Sequence, residues 1–110
     1  QNPMIQAKQR ELERLEAEQD DVARRHLQEL DDNAAELQAL QSQLQRLNGT
    51  GLRLARERAD LALANYRAAR GDLSAVLVTR AQVLEARMRL IDLQAQHDGL
   101  VVRLNNLIAN

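Results

Sequence analysis

Leucines at 37, 40, 44 and 47 are spaced three, four and three residues apart, and no proline follows Pro3. That spacing puts all four on one face of an α-helix, as the seam of a coiled coil requires. A half-buried strand would need alternation instead. The rhythm reaches upstream through Ile5, Leu12, Leu15 and Val22, at steps of seven, three and seven. Gln19, His26 and Asn33 take the equivalent positions there, so the upstream stripe is weaker and more polar. Six acids between Glu11 and Asp21 suit the positive end of a helix macrodipole.

A compact core would need bulk that this chain lacks. Tyr66 is its one aromatic residue, and the 45 % hydrophobic content is almost all alanine, leucine and valine. Globular cores ordinarily use aromatic rings to fill their volume. With 28 % charged residues and helix formers throughout, the expected fold class is all-α, built from long helices. At 110 residues it is one domain at most.

Two breaks divide the helical run. "NGTG", residues 48–51, places two glycines within three residues, which costs about 2 kcal/mol of helix propensity relative to alanine. It reads either as a kink in one long arm or as a hairpin turn of a three-helix bundle. Leu52, Ala55, Ala59, Leu63 and Tyr66 then resume helical spacing up to Arg70. The second break is Arg70-Gly71-Asp72. Gly71 suits the position just past a helix end, where a left-handed backbone is needed. Asp72 suits the N-cap of the next helix, accepting from the amide of Ser74 or Ala75. So short a loop between long amphipathic helices makes them antiparallel. The expectation is a hairpin over 1–110, with a first arm 4–70, a tip 70–73 and a return arm 73–109. The first arm would measure about 100 Å at 1.5 Å per residue.

The return arm carries three seven-residue series. They are Val76, Val83, Leu90, His97 and Leu104; Leu77, Leu84 and Ile91; and Leu93, Leu100 and Leu107. A two-helix seam needs only a narrow stripe, so this width implies more than one neighbour. By mirror count residues 4–32 have no partner in the chain, which predicts fraying or self-association through that segment.

Residues suited to chemistry are sparse. A tip centred between Gly71 and Asp72 mirrors His97 onto Arg46 and leaves His26 facing nothing. Neither histidine has a helical ligand set around it, so no metal site is expected. Asp20/Asp21 and Asp31/Asp32 point about 100° apart on a helix and read as solvated surface. Ser42, Thr50, Ser74 and Thr79 have no histidine in register, and "GTG" lacks the lysine of a phosphate loop. No enzyme and no cofactor is expected. A net charge of −1 gives no general pull toward nucleic acid. The absence of cysteine rules out a disulfide framework and leaves the redox compartment open. No apolar run is long enough for a membrane span. A chain opening on Gln1 reads as a processed or excised piece of a larger protein.

The charged constellation is at the tip. Residues 49–74 carry five arginines against three acids, whereas residues 1–48 carry six basic groups against ten acidic ones. Arg67 and Arg70 complement a helix C-terminus. Together with Gly71, Asp72, Leu73 and Ser74 they also form a candidate docking tip for another helical hairpin, with Arg80 nearby.

"ANYRAARGDLSAVLVTRAQVLEARMRL" resembles the periplasmic hairpin tip of the outer-membrane factors, the TolC-like ducts of tripartite efflux pumps. Tyr66, Arg67, Arg70, Val76, Leu77 and Arg80 follow that family's pattern in order. The preceding "LRLARERADLALANYRAARGDL" is most similar to the heavy-metal (cobalt–zinc–cadmium resistance) subgroup. The specific likeness covers residues 54–91. It implies a periplasmic location in a Gram-negative bacterium and a trimeric parent protein with a second hairpin per copy. It also implies a helical tunnel whose tip docks a periplasmic adaptor, with an inner-membrane pump as indirect partner. Departures are specific too. The family's glycine falls at Ala69, its gate acids at Ala75 and Val78, and its kinking proline near Arg53. The outer-membrane strands and lipid-anchoring cysteine of the family have no counterpart in these residues. The adaptor of the same pumps, also a coiled-coil hairpin, is an alternative. Its tip pattern of arginine, leucine four later and serine seven beyond fails here, because Gly71 follows Arg67 at four. A generic structural coiled coil or three-helix module is the remaining alternative.

Overall fold

The computed structural model describes residues 2–109; Gln1 and Asn110, at the ends of the expected hairpin region, lie outside the described residues. Helix α1 spans Pro3–Arg46, α2 spans Leu52–Arg67 and α3 spans Leu73–Ala109. A single π-helical turn, Leu47–Gly51, joins α1 to α2. No strand occurs among the described residues, and the molecule measures 98 × 21 × 15 Å. It is an all-α antiparallel hairpin. The kink reading of "NGTG" holds, because α1 and α2 continue one another and do not pack together. The three-helix arrangement is thereby set aside.

Local signals account for the ends. Asn2 caps α1 by accepting from the Met4 amide at 3.0 Å, and Pro3 takes the first turn, where its missing N–H is not needed. Through the π-turn the Leu52 N–H donates to the Leu47 carbonyl, five residues back. The seam shows what that turn does. Along the first arm one line of buried and half-buried positions runs Leu30, Asn33, Leu37, Leu40, Leu44 and Leu47, then Leu52, Ala55, Ala59 and Ala62. Steps of three and four hold on both sides, and the step across the turn is five. A wider turn absorbs the one extra residue, so the stripe keeps facing α3.

The partner stripe on α3 is unbroken. Val76, Thr79, Val83, Ala86, Leu90, Leu93, His97, Leu100, Leu104 and Leu107 alternate three and four apart, and all are buried or half-buried. Leu40, Leu93 and Leu100 form the centre, flanked by Leu37, Leu44, Leu47 and Leu104. Asn33 is the one polar buried residue among those described; its Nδ2 donates to the Glu29 carbonyl at 2.8 Å, on its own helix. One groove is lined by Gln43, Arg46, Leu47 and Gly51 on one arm and by Arg89 and Leu93 on the other. With α2 ending at Arg67 and α3 beginning at Leu73, the mirror count centres on residue 70 and puts Gln43 opposite His97 in place of the expected Arg46.

Two boundaries shift from those expected. The first arm ends as a helix at Arg67, not Arg70, and the tip is the five residues 68–72. The return arm begins at Leu73 as expected. Upstream, every residue from Pro3 to Arg25 is exposed, so this length of α1 stands as an unpaired overhang.

Candidate docking tip

The tip is built by a helix end, a reversal and a helix start in eight residues. At the end of α2 the Ala68 N–H donates to the Ala64 carbonyl at 3.0 Å. The Ala69 N–H reaches back to Tyr66 at 3.0 Å, and the Arg70 N–H to Asn65 at 2.8 Å. This pair of bonds is a Schellman motif, which satisfies carbonyls the ended helix would leave bare. Its left-handed residue is Ala69, with φ of 57°.

Gly71 therefore does not have the role expected of it. No glycine among the described residues has a positive φ. A Cβ at Gly71 would lie 3.2 Å from the Asn65 Cβ, so glycine is there for close approach rather than for conformation. Asp72 does what was expected: its Oδ1 accepts from the Ala75 N–H at 2.8 Å, capping α3. Thr79, one turn on, returns its hydroxyl to the Ala75 carbonyl at 2.7 Å and does not reach outward.

The six candidate residues come together on one exposed knuckle. Arg67, Arg70, Gly71, Asp72, Leu73 and Ser74 are all exposed, and Leu73 retains 51 % of its surface. Val76, 4 % exposed, anchors the knuckle from below. Arg67, Arg70 and Arg80 make no ion pair among the described residues, in contrast to Arg53, which meets Glu57 at 3.0 Å. The knuckle thus presents unneutralised guanidiniums beside a bare leucine. Such a surface suits contact with acidic and apolar groups on another helix pair. Ala69 and Asn65 are the tip residues that sequence reasoning missed. The glycine that the outer-membrane factors, which the tip sequence resembles, carry at the position of Ala69 was the available signal.

Elsewhere, His97 Nδ1 lies 3.1 Å from Asp98 Oδ1. That hydrogen bond, with a second from Gln94, holds the Asp98 carboxyl below its ordinary value. His26, half-buried just past the overhang, lies beside Leu15, Glu18, Gln19, Val22 and Ala23. No cluster of three metal-ligating side chains occurs among the described residues, and no helix there is long and apolar enough to cross a membrane. No family model, curated protein or solved structure matches the chain.

Proposed function

We propose that this hairpin is the periplasmic, tip-bearing part of an outer-membrane efflux duct of the TolC-like kind, docked at its tip by a periplasmic adaptor. The observation that carries the reading is the knuckle at 68–74. Its left-handed residue is Ala69, the position at which that family has glycine. Its arginines Arg67 and Arg70 have no ion-pair partner among the described residues and flank an exposed Leu73. The hairpin's incomplete burial supports the reading too. The overhang exposes apolar side chains that a tunnel of several hairpins would cover.

On this reading the chain does no bond chemistry. Three copies, each with a second hairpin, line a passive export conduit, and movement of the hairpins opens it. Cargo selection, heavy-metal ions in the subgroup it resembles, belongs to the inner-membrane pump. Ala75 and Val78 supply no gate carboxylate, so constriction would be apolar at those positions. The test is charge reversal, Arg67→Glu with Arg70→Glu, in the parent protein. Resistance that depends on efflux is expected to be lost while helicity and expression are kept. Wild-type resistance in that variant would reduce the tip to a structural turn.

A further inference from the structure

The back of α3 carries a second seam. Leu77, Ala81, Leu84, Met88 and Ile91 repeat at steps of four, three, four and three. At 100° per residue their stripe lies about 150° around the helix from the one that packs on the first arm. It is bare: Leu77 is 60 % exposed, Leu84 57 %, Met88 69 % and Ile91 70 %. A surface helix of a hairpin needs one apolar face, and α3 has two.

The charges beside this seam indicate what covers it. One flank carries Arg80 and Arg87, each just ahead of a seam residue; the other carries Glu85 and Asp92, each just behind one. Arg80, Arg87 and Glu85 make no ion pair among the described residues. Asp92 has only a 3.5 Å contact from Arg89 and a hydrogen bond from Gln96. In a parallel two-stranded coil, the residue ahead of a seam position meets the residue five further on in the other helix. That rule sets Arg80 against the partner's Glu85 and Arg87 against the partner's Asp92. Leu73 by the same rule meets the partner's Val78. An antiparallel pairing would oppose arginine to arginine and acid to acid. Ala95 takes the next seam position, and Asp98, three further on, ends the stripe with a charged group.

We infer that α3 pairs with α3 of a second copy through this seam, parallel and in register, with both tips at the same end. The first arms lie on the outside of the pair. The overhangs are held apart and take no part. The inference concerns a surface of this chain and does not rest on the efflux reading.

Sedimentation of the full chain over a wide concentration range is the experiment. A weak dimer is expected, of which Ile91→Asp leaves only monomer at unchanged helicity. Arg80→Glu with Arg87→Glu should weaken the dimer about tenfold, and adding Glu85→Arg with Asp92→Arg should restore it. Because the chain has no cysteine, Leu77→Cys should form a disulfide between copies on oxidation. In an antiparallel pair the two cysteines would be far apart. Leu12→Glu with Leu15→Glu, on the overhang, should leave the dimer intact. A monomer at every concentration overturns the inference. So does a dimer that survives Ile91→Asp, or one that the overhang variant abolishes.

Discussion

Ala69 holds the left-handed backbone that ends α2. A Cβ in that conformation costs roughly 1 kcal/mol, a cost glycine avoids. Ala69→Gly is therefore expected to stabilise the hairpin by about 1 kcal/mol in urea denaturation, less what glycine adds to the entropy of the unfolded chain. Gly71 should respond in the opposite sense. A valine there would push against Asn65 from 3.2 Å or nearer, and a loss of about 1 kcal/mol or more is expected in the same measurement. Had Gly71 been the left-handed residue, Ala69→Gly would only weaken the helix end. Asp98 supplies a pH signature. Its carboxyl titrates lower in the folded chain because His97 and Gln94 hydrogen-bond to the ionised form. The stability this adds is present above the unfolded carboxylate pKa and disappears as pH falls through the folded one. Asp98→Asn should accordingly flatten the melting-temperature profile below about pH 4. The effect will be small, since the group is exposed to water.

At the scale of the element, the π-turn is where pattern and propensity met. Two glycines in "NGTG" were legible as a weak point, but whether the chain bends or reverses there depends on what α3 offers each side. A seam step of five residues across 47–52 was also legible, and one residue too many in a heptad is what a π-turn takes up. The two glycines are not equivalent. Nothing lies within 4 Å of a Cβ at Gly49, whereas one at Gly51 would lie 3.1 Å from Leu47 Cδ1. Gly49→Ala should therefore raise stability by about 1 kcal/mol, the helix-propensity difference. Gly51→Ala should gain much less, because Leu47 has to move. Equal gains from both would mean that Leu47 gives way at no cost.

The whole molecule is a hairpin with more first arm than second. From Pro3 to Arg25 no residue of α1 is even half-buried, although Ile5, Leu12, Leu15 and Val22 form a stripe along it. Helices of this kind draw most of their stability from packing an apolar face, and here nothing is packed on it. Hydrogen exchange should divide the chain accordingly. Amides of residues 6–25 are expected to exchange orders of magnitude faster than those around Leu40, Leu93 and Leu100. Protection of the overhang equal to that of the seam would show that another surface covers it in solution. The Glu11–Arg14 and Asp21–Arg25 pairs do not alter this expectation, since exposed ion pairs contribute little.

What the residues determined by themselves was everything local or periodic. Leu37 to Leu47 and Val76 to Leu107 spelled out helix and seam, because a 3.6-residue turn converts spacing directly into a face. Asp72 declared the start of α3, because a cap acts within three residues of itself. The candidate tip residues were legible for the same reason: the turn is short, and all of them had to be on it. Tertiary structure decided the rest. Which residue of the turn goes left-handed was not local: the chain reverses at Ala69, and Gly71 instead sits against Asn65, where a Cβ would lie 3.2 Å away. The helix ends on either side of the turn moved the mirror centre to residue 70, which sets Gln43 opposite His97. Continuation through "NGTG" was settled by a single continuous stripe on α3, against which α1 packs leucines and α2 packs Leu52, Ala55, Ala59 and Ala62.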